Sequence, residues 1–196
     1  MPKLLQNSTD AELIRLAQNR QDDPAAGTSA VGELYDRYHE SIFRYIWARV
    51  SDQQLAEDLT GDVFTSMVVN LPKYRSIGTP FQAWLYRIAR NLIIDHRRKA
   101  SSRKEWQFDE VINNSAAEED PTLIVEDQIT VEDVQAALGE LKPLKQDVII
   151  LRFIVGLSIN EVASILGRTI SSVKVTQHRA LKELRLKLES YTGEAK

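Results

Sequence analysis

Residues 156–188 read GLSINEVASILGRTISSVKVTQHRALKELRLKL. Ser158 followed three positions later by Glu161 forms a capping box: the hydroxyl accepts from the Glu161 backbone N–H while the glutamate side chain reaches back to the cap. The spacing predicts a helix over Ile159–Leu166 that stops at Gly167, and a second helix starting near Ile170 or Ser171 after Arg168-Thr169. Ala163, Gly167 and Val173 supply a small residue at a helix crossing, a permissive backbone in the turn and an apolar anchor, the parts of a helix-turn-helix. In the second helix Val173, Ala180, Leu181, Leu184 and Leu188 are expected inside. Ser171, Ser172, Lys174, Val175, His178 and Arg179 are left outside near its N-terminal half. Recognition helices lay this half into the major groove, where short hydroxyls reach phosphate and longer side chains reach base edges. Lys182, Arg185 and Lys187 lie further along, where they touch backbone phosphate at most, or nothing.

Upstream of this motif, Pro143 suits a helix start, Leu144, Val148, Leu151 and Val155 form an inner face, and Gly156 ends it. Val131, Val134, Ala137, Leu138 and Leu141 repeat the helical period. Residues 105–129 have no sustained period; they contain Asn113-Asn114-Ser115 and Glu118-Glu119-Asp120-Pro121 and read as a flexible acidic linker. Before the linker the helical pattern resumes. Ser8, Thr9 or Asp10 caps a helix over Ala11–Asn19, and Gln21–Ser29, with Pro24 and Gly27, reads as a loop. Leu34, Tyr35, Tyr38, Ile42, Tyr45 and Ile46 mark one buried helix face. Leu55, Leu59, Val63, Phe64, Met67 and Val68 mark another, with Glu57, Asp58 and Asp62 outward. Leu71-Pro72 ends that helix, and the loop Lys73–Pro80 follows. Phe81, Trp84, Leu85, Ile88 and Leu92 form the stripe of the next helix, with Arg87, Asn91 and Arg98 along its flank. The stripe places Trp84 in the core. The expected fold is all-α: two small helical domains, 1–104 and 130–196, joined by a flexible acidic linker over 105–129.

The net charge of −3 conceals segregation: residues 73–104 carry +8, residues 105–140 carry −11 with no Lys or Arg, and residues 141–196 carry +5. Two basic blocks separated by an acidic stretch point to two polyanion-binding surfaces. Cations at a helix end suit its dipole, but nine Lys and Arg in residues 73–104 exceed that need. Other chemistries are poorly served. The absence of Cys and the scatter of the three His, at 39, 96 and 178, argue against disulfides, thiolate metal sites and a His cluster. No phosphate-cradling Gly-rich loop or nucleophile motif is present, so no catalytic residue, cofactor or metal is assigned. No apolar run approaches the roughly 18 residues of a membrane helix. Met1–Asp10 lacks a secretory signal, and a cytoplasmic location is expected.

Four ordered segments carry a resemblance. Glu33-Leu34-Tyr35-Asp36-Arg37-Tyr38, Ala56–Phe64 (AEDLTGDVF), Phe81–Asn91 (FQAWLYRIARN) and Gly156–Ala163 (GLSINEVA) are similar, in order and spacing, to signature segments of bacterial sigma factors. The group resembled is the extracytoplasmic-function subfamily, which keeps only the second and fourth conserved regions. The resemblance implies a promoter-specificity subunit of RNA polymerase, with core polymerase and promoter DNA as partners and an anti-sigma factor as a partner common in the family. It assigns Ala56–Tyr74, and with it Glu57, Asp58 and Asp62, to the clamp helices of the polymerase's largest subunit. It assigns the loop Lys73, Tyr74, Arg75 and Ser76 to capture of a flipped base of the minus-ten element, and Arg87, Asn91 and Arg98 to its duplex and melting edge. Base capture has a physical requirement: stacking and hydrogen bonds must offset an unstacking cost of a few kcal/mol. Ser171, Ser172, Lys174, Val175, His178 and Arg179 are assigned to the minus-thirty-five element, and the helices before them to the flap of the second-largest subunit. Val175-Thr176-Gln177 departs from the family's commoner small residue, Arg and Leu, removing one cation from that face. The linker matches the connector that threads the polymerase channel; its charge also suits it to fold back on the first basic block.

A conventional transcription regulator, with an operator-binding helix-turn-helix and a sensing or dimerising first half, fits Gly156–Leu188 equally well. It leaves the basic block at 73–104 unexplained.

Overall fold

The structure, a computed structural model, describes residues 5–75, 78, 80–106 and 129–193, and all regular structure among these is helical. α1 (Asp10–Gln18) is capped by Thr9, whose side chain accepts from the Glu12 N–H while the Glu12 carboxylate accepts from the Thr9 N–H at 2.7 Å. Leu13, Ile14 and Ala17 are its buried face. The predicted loop at Gln21–Ser29 is mostly helix: α2 runs from Pro24 to Val50, capped by Asp23, which accepts from the Ala26 N–H. Pro24 occupies the first helical turn, where its missing N–H costs nothing, so a residue read as a breaker is a starter. Gly27 is buried where α1 and α2 converge; a Cβ there would lie 2.3 Å from Arg20 Cβ.

α2 ends at Ser51, in the left-handed conformation at φ 55°, and Asp52 caps α3 (Gln53–Asn70). Leu59, Val63, Phe64 and Met67 of α3 are buried as the period requires. On α2, Leu34, Ile42, Tyr45 and Ile46 are buried, but Tyr35 is 41% exposed and lays its ring against His39 and Phe64. A short 3-10 turn, Leu71–Lys73, leads to α4 (Phe81–Trp106). The α4 stripe is wider than predicted. Phe81 and Leu85 are buried, but so are Tyr86, Ala89 and Ile93. Part of the reason lies in the first half, where the Tyr86 ring meets that of Tyr45 on α2 at 5.4 Å, and α4 also packs on the helix over Ile159–Leu166 of the second half.

The second half comprises α5 (Val131–Gly139), α6 (Pro143–Ile149) continuing into a π-helical turn (Ile150–Ile154), α7 (Ile159–Leu166) and α8 (Ile170–Gly193). Ser158 forms the predicted capping box with Glu161, and Gly167 takes the left-handed conformation at φ 61° that turns the chain into α8. Val173 and Ala180 are buried, whereas Leu181 is 40% exposed, lining a shallow groove with Ile129, Leu184 and Leu188. One continuous apolar core runs through both halves. Of the predicted linker 105–129, Glu105 and Trp106 continue α4, while residues 107–128, and with them the expected fold-back, lie outside the described residues.

Candidate nucleic-acid and polymerase interfaces

The helix-turn-helix presents its outer face as the sequence implies. Thr169 caps α8, its hydroxyl accepting from the Ser172 N–H at 3.2 Å. Ser171, Lys174, Val175, His178 and Arg179 lie on the outer side and Ser172 is half-buried, all within the first three turns of α8. Val175 is 50% exposed, an apolar side chain offered to solvent on an otherwise polar face. Gln177 is turned inward: its Oε1 accepts from Arg152 Nε at 3.2 Å, tying α8 to the π turn. The departure at Val175-Thr176-Gln177 therefore places an apolar residue on the outer face and a structural bond behind it.

In the first half, Gln18 fixes the start of the 73–80 loop. Its Nε2 donates to the carbonyls of Leu71 and Tyr74, each at 2.9 Å. The Tyr74 ring is half-buried, 5.4 Å from Phe81 and 4.7 Å from Trp84. Lys73 and Arg75 remain exposed at the loop mouth; Arg75 Nη1 donates to the Tyr74 carbonyl at 3.0 Å. Ser76 lies outside the described residues. Trp84 is half-buried in the same aromatic cluster, in keeping with a core role. Arg87, Asn91 and Arg98 are exposed on α4; Arg98 is paired with Asp95 at 3.0 Å.

Glu57, Asp58 and Asp62 project together from α3 into solvent. Gln53 donates to Glu57 at 3.0 Å and Gln54 to Asp58 at 3.5 Å, contacts that orient the carboxylates without neutralising them. None of the three has a salt-bridge partner among the described residues, so the face carries a concentrated negative charge.

Sequence reasoning missed a polar cluster between the halves. Asp147, on α6, is fully buried. Its Oδ1 accepts from the Tyr45 hydroxyl at 2.8 Å and lies 3.1 Å from Arg49 Nη1, and its Oδ2 accepts from Arg90 Nε at 3.0 Å. Arg49 Nη1 also reaches Gln146 Oε1 at 2.8 Å and the Pro143 carbonyl at 3.3 Å. Arg97 donates to the Arg49 carbonyl at 2.6 Å. Burial, with the Asp147 charge beside it, pushes the Tyr45 phenol well above its ordinary value, so it stays a donor. Burial and the neighbouring Arg49 lower the Arg97 guanidinium. The sequence offers no more than an Asp standing directly before the apolar stretch that begins at Val148.

Comparison with known proteins identifies the assembly of parts. The sigma-70 region 2 family model matches residues 34–103 and the sigma-70 region 4 model matches residues 132–184. The ECF RNA polymerase sigma factor BldN of Streptomyces coelicolor is 33% identical over 178 residues, which span 91% of this chain and 66% of BldN. The chain thus spans just under two thirds of that relative's length. SigD of Mycobacterium tuberculosis is 32% identical, with 82% of this chain and 78% of SigD covered. SigX of Bacillus subtilis is 32% identical, with 80% and 82% covered. Among solved structures, CnrH in complex with the cytosolic domain of CnrY has the same fold at TM-score 0.67 and 24% identity, covering 92% of this chain and 97% of that one. The sigma factor RpoE of Bartonella quintana, solved with the anti-sigma factor NepR, matches at TM-score 0.63 and 22% identity, covering 81% and 96%.

A region 2 helical domain and a region 4 helix-turn-helix in this order define the sigma-70 class of transcription initiation factors, non-catalytic proteins that direct RNA polymerase to promoters. Within that class the chain belongs to the extracytoplasmic-function sigma factors.

Proposed function

We propose that this chain binds core RNA polymerase through the acidic face of α3, reads two promoter elements with α4 and α8, and assists opening of the duplex, catalysing nothing itself. The observation that carries this reading is the pair of exposed basic faces in separate halves, Lys73, Arg75, Arg87 and Arg98 in one and Lys174 and Arg179 in the other. Each face alone is small. Held at fixed separation by a polymerase, the two act as linked modules, and the second contact benefits from a high effective concentration.

Asn91, Tyr74 and Ser76 complete the proposed minus-ten surface, and Ser171, Ser172, Val175 and His178 the minus-thirty-five surface. Glu57, Asp58 and Asp62 meet the clamp helices of the largest subunit; the helices before α7 meet the flap of the second-largest. Units of residues 1–104 and 130–196, with the acidic connector 105–129, follow from the charge blocks. No helix among the described residues is long and apolar enough to cross a membrane, and the proposed site of action is the cytoplasm, with polymerase. An anti-sigma factor is a further partner implied by the family.

A pull-down with core polymerase in the absence of DNA tests the assignment against an operator-binding regulator. Retention of the chain, weakened by Glu57→Lys with Asp62→Lys, is expected. No retention at low salt contradicts the proposal.

A further inference from the structure

Over residues 171–179 the outer face of α8 has one side chain that cannot form a hydrogen bond, and it stands at the centre of that face. Ser171 and Ser172 lie four and three positions before Val175, and His178 and Arg179 three and four after it, so these four surround it on the helix surface. Half of Val175 is exposed, whereas Val173 is buried against the protein.

The two residues that follow Val175 are engaged within the protein. The Thr176 hydroxyl donates to the Ser172 carbonyl at 2.8 Å, one turn back along its own helix. Gln177 Oε1 accepts from Arg152 Nε at 3.2 Å, and Arg152 is itself anchored by donating to the Leu157 carbonyl. In the second turn of α8, Lys174 and Val175 are therefore the residues presented to solvent.

A lone apolar side chain in water is ordinary; its place on this helix is what matters. The first turns of a recognition helix enter the major groove, where every base pair shows a distinct edge. Lys174, His178, Arg179 and the two serines can pair with base atoms or phosphates. Val175 can pair with neither. The apolar feature that the major groove offers is the C5-methyl group of thymine. Over a guanine, adenine or cytosine edge the isopropyl group would cover a donor or acceptor without satisfying it, at a cost in free energy. Valine also suits the task by its stiffness. A β-branched side chain in a helix keeps essentially one χ1 rotamer, so its methyl groups are in place before DNA arrives and little side-chain entropy is lost on contact.

We infer that Val175 selects a thymine in the upstream promoter element, its isopropyl group packing on the C5-methyl in the major groove while the polar side chains around it fix the register of α8. The inference rests on the promoter-binding reading of α8 and adds to it the chemistry of one base pair.

The test uses the full chain assembled with core RNA polymerase. Transcription from a promoter pool randomised across the upstream element yields the element that the wild type prefers. A thymine is expected at one position, on either strand, and Val175→Ser should relax that position while the others keep their preference. The preferred promoter is then rebuilt with deoxyuridine in place of each upstream thymine in turn, which deletes the C5-methyl and leaves every pairing group. Binding by the wild-type holoenzyme should fall about fourfold at that one position, the worth of one buried methyl group. Val175→Ser should show no fall there. When that thymine is replaced by cytosine, 5-methylcytosine should bind the wild type better than cytosine does. The scan on the wild type requires no variant, so it decides the contact even should Val175→Ser fail to fold. Deoxyuridine without effect at every upstream thymine, or an equal fall in wild type and Val175→Ser, overturns the methyl contact and leaves promoter use intact. No promoter-directed transcription from any member of the pool overturns the functional reading, and the methyl contact with it.

Discussion

Lys174 and Arg179 are exposed in the N-terminal half of α8, where a recognition helix meets base edges. Replacing either by Ala should weaken binding at the upstream element by about 1–3 kcal/mol where a base is read and by less where only phosphate is touched. Binding measured across a set of upstream variants checks this; equal loss on every sequence contradicts base reading. A packing prediction attaches to Gly27. A side chain at this position would bring its Cβ to 2.3 Å from Arg20 Cβ and 2.7 Å from Arg20 Cα. Gly27→Ala must therefore push α1 from α2, and overpacking of this kind costs about 1–3 kcal/mol. Denaturant unfolding should show the loss; an unchanged midpoint contradicts the close approach. The outward position of the α8 residues was legible from period alone. The need for Gly at 27 was not, because a glycine close to a proline suggests a turn until the packing partner, Arg20, is known.

At the scale of elements, the Ser158–Glu161 box was legible in the sequence, whereas the boxes at Thr9 and Thr130 and the Asp23 cap were not assigned from it. Thr9 with Glu12, Thr130 with Asp133 and Ser158 with Glu161 each form reciprocal boxes, every one a local pattern linking positions three apart. The Glu12 carboxyl is held below its ordinary 4.5 by the Thr9 backbone N–H and then its hydroxyl, and the Asp133 carboxyl below 3.8 by the same two groups of Thr130. Depressed folded values mean that these caps contribute above the ordinary carboxylate range and lose their contribution as pH falls through the lowered values. NMR titration of the two side-chain carboxyls should give midpoints below those of Glu and Asp in unfolded peptides; midpoints at or above them contradict the boxes. Reading was weakest where an element has two neighbours. Beyond the α4 stripe of Phe81, Trp84, Leu85, Ile88 and Leu92, Tyr86, Ala89 and Ile93 are buried too, Tyr86 against Tyr45 of α2. Helical period locates one apolar face well; it does not say that a polar flank with Arg90 will meet a distant Asp.

For the whole molecule, the charge blocks and the two helical patterns were enough to expect two DNA-facing units, and both α4 and α8 carry exposed cations. The contact between the units was not legible. It depends on one buried carboxylate and on residues separated by about half the chain, with Tyr45 bonded to Asp147 across 102 positions. No local pattern encodes such a pairing; only the tertiary arrangement shows that three side chains of α2 and α4 converge on it. Each exposed cationic face is small, and on the proposed reading only a polymerase holds both against DNA at once. Weak binding of promoter DNA by the free chain follows. The most direct measurement is to map RNA 5′ ends made by core RNA polymerase, with and without this chain, on a diverse promoter pool. The account predicts new start sites that share two short upstream elements at constant spacing and that vanish when α8 carries Lys174→Ala with Arg179→Ala. The same start sites with and without the chain would contradict it.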